Sequence, residues 1–210
     1  MGNQDILYLD SIAIAGPLGE MAEKFDYTYL DYYELPNADL SPYICMIITG
    51  SVDQEFMMKH KAIIRDFLDS GKVVVFGGHL FRSWLPGAGH FIPRTIHEHW
   101  DYHITPVNPD HPFFAGVELH ELTYRKGVAG FYARGHHPMP QGAEALLQLP
   151  GGEPTMYIDR VSTQGTLLVS AGATLLSYGL PEMTTAVMKP RVLAWIREEY
   201  RRLQAQKEAV

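Results

Sequence analysis

The chain has 210 residues, of which 46% are hydrophobic and 20% charged, a composition typical of a globular protein with one substantial core. Its formal net charge is −7, which argues against the clustered basic face that nucleic-acid binding requires. No apolar run reaches the roughly 20 residues of a membrane span. We therefore expect neither nucleic acid nor a membrane as a partner.

The amino terminus and the cysteine content indicate the compartment. The first residues carry no basic segment, and the apolar run that follows is interrupted by Asp10 and Gly16, so we predict no signal peptide. The single cysteine, Cys45, cannot form an internal disulfide, which fits a reducing environment. A cytoplasmic location is expected.

The first half of the chain alternates strand and helix patterns. Helical spacing of apolar residues predicts one helix over 18–25 and another within 54–72, near 55–70. Apolar and β-branched runs predict strands at 5–9, 26–35, 43–49 and 73–77. Strand, helix and strand joined by short connections indicate an α/β fold, a mostly parallel sheet with helices on both faces.

The second half is less regular. An aromatic-rich segment over 96–107 is predicted to be extended, and a closing helix is predicted over 184–198, where Pro190 should kink or interrupt it. Further strands are predicted at 121–134 and 143–150, with a hairpin that joins 155–161 to 165–173. We predict a single domain over 1–204 and a frayed tail over 205–210.

Two groups of sequence segments carry a family resemblance. "YICMIITGS" (43–51), the helix that follows it and "DSGKVVVFGGHLF" (69–81) resemble the third strand, helix and elbow strand of the class I glutamine amidotransferase-like superfamily. The strand end Gly77-Gly78-His79, "NPDHPFFAGV" (108–117) and "HELTY" (120–124) are similar to segments of its ThuA-like group, which is associated with trehalose utilisation. The resemblance implies a flavodoxin-like sheet.

The resemblance also shows what the elbow lacks. In amidotransferases the elbow presents a nucleophilic cysteine, whereas Gly78 and His79 occupy that region here. Cys45 lies inside an apolar strand, where a buried thiol reacts poorly. Neither Ser51 nor Ser83 stands in a G-x-S-x-G frame. We therefore expect an amidotransferase-like protein without glutaminase activity.

A ligand site is predicted where the third and fourth strands end. Parallel strands direct their carboxyl ends to one crevice, and glycines there allow a ligand to approach the backbone. Ser51 is interpreted as a helix N-cap or a ligand-contacting hydroxyl, and His79 either as an acid–base group or as a structural cap. Tight helix-to-sheet packing is the alternative explanation of the glycines. The predicted ligand-binding residues are Gly50, Ser51, Gly77, Gly78 and Trp84, the last as a ring that stacks on a sugar.

Histidines are dense between His90 and His103. If 96–100 is extended, His97 and His99 point to one face, as two metal ligands on a strand do, with His79, His111 or Glu121 as a third ligand. We favour a polar surface there and predict no metal and no cofactor. "GHHPMP" (135–140) invites comparison with the amidotransferase His-Pro-Glu segment, but Met139 replaces the glutamate, and we interpret it as a proline-set turn.

Two classes of function remain open. The first is an enzyme acting on a carbohydrate or related metabolite, in which His79 and Glu121 transfer protons, with or without a metal. The second is a catalytically silent module that binds a small polar or carbohydrate-like ligand or assembles as a homodimer. The fold does not decide between them. We favour the ligand-binding module.

Overall fold

The computed structural model describes residues 3–11, 27–125, 127–132 and 134–209. The strands are β1 Asn3–Asp10, β2 Tyr27–Asp31, β3 Cys45–Thr49, β4 Val73–Gly77, β5 Ile92–Pro93, β6 Thr105–Pro106, β7 Gly135–His136, β8 Glu144–Gln148, β9 Pro154–Asp159 and β10 Thr166–Ser170. The α-helices are α1 Gln54–Lys59, α2 Lys61–Asp69, α3 His120–Thr123, α4 Leu175–Tyr178 and α5 Met188–Glu208. Three 3-10 helices span Tyr32–Asn37, His99–Tyr102 and Thr184–Val187.

Eight strands form one sheet in the order β2-β1-β3-β4-β10-β9-β8-β6. The pairings from β2 through β10 are parallel, and those from β10 to β6 are antiparallel. If only the five parallel strands are numbered in chain order, so that β10 is the fifth, their order in the sheet is 2-1-3-4-5. This is the flavodoxin-like order. The predicted α/β fold is confirmed, with an antiparallel extension at one edge.

Alternation along β3 and β4 divides the core between the two faces of the sheet. One face buries Cys45 and Val75 beneath α5, and the other buries Met46 and Phe76 beneath α1 and α2. Strands buried on both faces read as continuous apolar runs, which is why the sequence identified these two so clearly. Among the described residues, no helix combines the length and the apolar character needed to cross a bilayer.

Most predicted elements of the first half are confirmed where the structure describes them, but the strand predicted over 26–35 ends at Asp31, and Tyr32–Asn37 forms a 3-10 helix. The strands at 5–9, 43–49 and 73–77 are present, and β3 pairs in parallel with β4. The helix near 55–70 is present as α1 and α2, which meet at His60. The predicted helix over 18–25 lies outside the described residues.

Two of the extended segments predicted in the second half are wrong. The described residues of 121–134 do not form the predicted strand: α3 ends at Thr123, and Arg125 and Val128 form an isolated bridge. Gly127 and Gly130 adopt φ values of 76° and 92°, which interrupt any extended run. By contrast, β8 and the antiparallel β9–β10 hairpin lie where they were predicted.

The segment 96–107 is also largely not extended. Residues His99–Tyr102 form a 3-10 helix, because the Asp101 carboxylate accepts hydrogen bonds from the backbone nitrogens of His97 and Glu98, at 2.8 and 3.0 Å. Only Thr105–Pro106 forms a strand, which pairs with β8. His97 and His99 therefore do not share one face of a strand.

The closing helix is longer than predicted. α5 runs from Met188 to Glu208, past the point where we expected the chain to fray. Pro190 does not interrupt it, since it lies in the first turn, where no intrahelical hydrogen bond requires its missing N–H. Glu199 ties this helix to the sheet by accepting hydrogen bonds from Arg160 and Thr166, both at 2.7 Å.

Cys45 is fully buried in β3, as predicted, and burial raises the pKa of its thiol. We expect thiol reagents to leave the native protein unlabelled and to label it upon unfolding, because the reactive thiolate is both inaccessible and disfavoured. Cys45→Ala should lower the free energy of unfolding by about 1 kcal/mol. Rapid labelling of folded protein in a colorimetric thiol assay would contradict this prediction.

Candidate functional site

The predicted glycine-rich site lies at the carboxyl edge of the parallel sheet. β3 ends at Thr49 and β4 ends at Gly77, and these two residues are register partners. Gly77 is also paired with Ser170, the last residue of β10. The loops that follow these strands therefore start side by side, at the edge where open α/β sheets bind ligands.

The glycines of these loops pack against one another. A Cβ atom added to Gly50 would lie 2.8 Å from the Cα of Gly78, and one added to Gly78 would overlap the Cα of Gly50. A Cβ atom on Gly77 would overlap Thr174. The structure thus brings Gly50, Gly77 and Gly78 together as predicted, and close packing of the chain accounts for all three glycines.

Gln54 fixes the elbow loop after β4. Its Nε2 donates to the carbonyl oxygen of His79 at 2.7 Å, while its Oε1 accepts from the backbone nitrogens of Phe81 and Arg82 at 2.7 and 3.2 Å. One side chain, from the first residue of α1, therefore satisfies three backbone groups of the loop. Such support holds a site residue in one position.

The imidazole of His79 is partly buried at this elbow. It stacks on Phe91 with ring centroids 3.8 Å apart and an interplanar angle of 15°. Burial, with a smaller contribution from the charge of Arg134, lowers the pKa of His79 below its ordinary value. The ring is therefore neutral at pH 7, and it offers one nitrogen as a hydrogen-bond donor and the other as an acceptor.

Ser51 adds an exposed hydroxyl beside this loop. Its Oγ donates to Oδ1 of Asp10, a fully buried carboxylate at the end of β1, at 2.7 Å, and lies 2.6 Å from the hydroxyl of Thr49. The structure excludes the N-cap interpretation of Ser51, because Asp53 caps α1 by accepting from the backbone nitrogens of Glu55 and Phe56. The hydroxyl remains oriented at the sheet edge.

His137, like Gln54, is a residue of the candidate site that the sequence interpretation missed. Its side chain is 1% exposed, and its Nε2 and Nδ1 lie 3.0 Å and 3.2 Å from the carbonyl oxygens of Gly78 and Gly89. Burial, followed by the charges of neighbouring histidines, lowers its pKa to about 4. The segment is not the predicted turn: Gly135–His136 form β7, the turn lies at 140–143, and the His137 ring contacts the backbone of the elbow loop. The sequence feature that could have drawn attention to this histidine is the His-Pro pair in "GHHPMP".

Glu121, the predicted partner of His79, accepts hydrogen bonds from the segment that precedes α5. Its Oε2 accepts from the hydroxyl of Thr184 at 2.5 Å and from the backbone nitrogen of Thr185 at 3.1 Å. Although burial alone would raise the pKa of Glu121, these hydrogen bonds hold it below the ordinary value. Among the described residues, the ring of His79 contacts those of Phe81 and Phe91.

Trp84 lies in the core. Its side chain is 1% exposed and meets Phe76 edge-on, with ring centroids 5.3 Å apart. A ring buried in this way leaves no broad face for a sugar, so its position does not support the predicted stacking role.

The histidines between His90 and His103 do not assemble the metal triad considered from sequence. In the part of the chain that the structure describes, no three His, Cys, Asp or Glu side chains are grouped so as to hold a metal ion. His99 instead packs against Trp100, with ring centroids 4.3 Å apart.

Comparisons with known proteins bear on the fold. No protein-family model matches the sequence, and no curated protein matches it. Among solved structures, the chain is similar to a cytoplasmic protein of Salmonella typhimurium LT2, with 10% identity and a TM-score of 0.58 over 91% of this chain and 98% of that one. A ThuA-like protein of Bacteroides uniformis ATCC 8492 is 10% identical, with a TM-score of 0.48 over 91% and 89%. A glutamine amidotransferase of Methylobacillus flagellatus is 10% identical, with a TM-score of 0.36 over 95% and 92%.

The likeness to the Salmonella protein, at this identity, establishes a shared fold and nothing further, and the other two likenesses are too weak to carry a conclusion. Together with the strand order, it agrees with the flavodoxin-like sheet that the amidotransferase-like resemblance implied. The chain is an α/β protein with a flavodoxin-like strand order, in which Gly78 and His79 follow β4.

Proposed function

We propose that this chain binds a small polar or carbohydrate-like metabolite at the carboxyl edge of its sheet. The observation that carries this proposal is the neutral imidazole of His79, stacked on Phe91 in a loop that Gln54 holds by three hydrogen bonds. A fixed ring with one donor and one acceptor, beside the oriented hydroxyl of Ser51, suits the hydroxyl groups of such a ligand. The positive charge of Arg134, which contributes to lowering the pKa of His79, favours ligands with an electronegative group.

We further propose that the protein does not release ammonia from glutamine. That reaction, in the amidotransferases that the chain resembles, requires a cysteine thiolate at the elbow. The single cysteine of this sequence is fully buried in β3, and burial raises its pKa.

We favour ligand binding over acid–base catalysis, for which His79 and Glu121 were the pair considered from sequence. A proton-transfer pair needs both groups within hydrogen-bond reach of one substrate. The carboxylate of Glu121 accepts hydrogen bonds from Thr184 and Thr185, and the ring of His79 stacks on Phe91. A cytoplasmic location and a homodimer remain predictions.

A thermal-shift screen of sugars, sugar acids and polyols tests the proposal. At least one compound should raise the melting temperature of the wild type, while His79→Gln should lose that shift and keep the melting temperature of the unliganded protein. His97→Gln, at an exposed histidine of the histidine-rich stretch, is the matched control and should retain the shift. Loss of the shift in His97→Gln alone would move the site to that stretch, and ammonia release from glutamine would contradict the second proposal.

A further inference from the structure

Ser83 and His90 form a hydrogen-bonded pair on the surface. The Oγ of Ser83 lies 2.8 Å from the Nε2 of His90, and both side chains are exposed. A serine hydroxyl within this distance of an imidazole nitrogen is the arrangement by which a histidine activates a serine nucleophile.

The backbone on each side of the pair is anchored. Before Ser83, the nitrogen of Arg82 donates to Gln54, and after it Trp84 is buried in the core. On the other side of His90, the nitrogen of Phe91 donates to the carbonyl oxygen of Leu80 at 2.7 Å. Because both residues sit between fixed neighbours, their separation is set by the fold and does not depend on a free loop.

Ser83 also lines a cavity of about 280 Å³, and two basic residues line the same cavity. The cavity is lined by Lys61, Ala62, Arg65, Ser83, Trp84 and Pro86. Lys61 and Arg65 are four residues apart on α2, so they share one face of that helix. Among the described residues Lys61 has no ion pair, and Arg65 has one partner, Asp69, at 4.0 Å on the exposed surface. These two cations favour a ligand that carries a negative charge.

We propose that Ser83 and His90 are a nucleophile–base pair that hydrolyses small esters bearing a carboxylate, with Lys61 and Arg65 binding the carboxylate. The Nε2 of His90 takes the proton of Ser83 as the Oγ forms a bond to the ester carbonyl carbon. The carbon–oxygen bond to the leaving alcohol then breaks, and His90 returns the proton to that alcohol. Water, deprotonated by His90, hydrolyses the acyl-serine, and the proton returns to Oγ.

The proposal predicts hydrolysis of the 4-nitrophenyl monoester of glutaric acid, with the neutral 4-nitrophenyl butyrate as the reference substrate. Ser83→Ala and His90→Gln should each lower the turnover of the charged ester by about 100-fold. Lys61→Gln combined with Arg65→Gln should raise the KM for the charged ester by about tenfold and leave that for butyrate unchanged. A fluorophosphonate should label Ser83, as shown by mass spectrometry of the digested protein.

Two controls separate this activity from general effects. Ser41→Ala and His97→Gln, at an exposed serine and an exposed histidine that do not line the cavity, should both keep full activity. Hydrolysis that persists in Ser83→Ala, or a folded wild type that neither hydrolyses the charged ester nor reacts with the fluorophosphonate, would overturn the proposal. Equal preference for the charged and the neutral ester would overturn the role of Lys61 and Arg65.

Discussion

Replacing Gly78 with alanine is expected to lower the free energy of unfolding by about 3 kcal/mol. The added methyl group would overlap the Cα of Gly50, and a methyl group on Gly50 would in turn lie 2.8 Å from the Cα of Gly78. Both clashes involve backbone, so no rotamer change relieves them, and the two loops must move apart. We expect the same change to displace His79 and weaken ligand binding.

Gly116→Ala is the matched control for this prediction. Gly116 also has a positive φ, of 72°, but nothing lies within 4 Å of the position its Cβ would take. Its replacement should cost only about 1 kcal/mol, from the left-handed backbone alone. Urea unfolding of the three proteins measures the difference. Equal losses for Gly78→Ala and Gly116→Ala would mean that the two loops are not in close contact.

Acid is expected to destabilise the protein through His137. The pKa of this buried histidine is lowered from 6.5 to about 4 in the folded state. Its contribution to stability is therefore complete above the unfolded-state pKa, and it is lost as the pH falls from about 6.5 to about 4. A shift of this size corresponds to about 3 kcal/mol of unfolding free energy.

The variant His137→Gln isolates this contribution. The amide can still donate to the carbonyl oxygen of Gly78, but it does not titrate. His79 and His111, whose pKa values are also lowered, titrate in both proteins and cancel in the comparison. Urea unfolding at pH 7 and pH 4 should show the smaller loss in the variant. Parallel pH profiles for the two proteins would exclude His137 as the acid-sensitive group.

The parallel half of the sheet was predictable because burial on both faces leaves a strong local signal. "CMIIT" and "VVVFG" are continuous apolar runs, and each occupies the strand that its pattern predicts. The amphipathic pattern over 61–69 likewise lies on α2, whose residues Ile64, Phe67 and Leu68 are buried. Local sequence and tertiary packing agree in these elements.

The second half was harder because its structure depends on single capping and turn residues. Trp100 and Tyr102 favour a strand by composition, yet the carboxylate of Asp101 nucleates a helical turn there. Likewise, Tyr124 and Val128 read as strand residues until the turn at Gly127 is known. The average composition of a sequence window does not reveal that a single capping or turn residue determines the local structure.

The site was predictable only where it follows the strand ends. Gly50, Ser51 and His79 were identified because each follows a recognisable buried strand. Gln54 and His137 were not, since their contacts with the elbow join residues 25 and 59 positions apart in the chain. No local pattern marks a side chain whose role is to hold a distant backbone group.

Calorimetry tests the proposed site most directly. It measures the dissociation constant of the metabolite found in the thermal-shift screen, for the wild type and for His79→Ala. We predict that His79→Ala weakens binding by at least about tenfold. Its melting temperature should stay within about 2 °C of the wild type, because the ring lies partly exposed outside the core. Equal affinity in the two proteins would contradict the placement of the ligand at the carboxyl ends of β3 and β4.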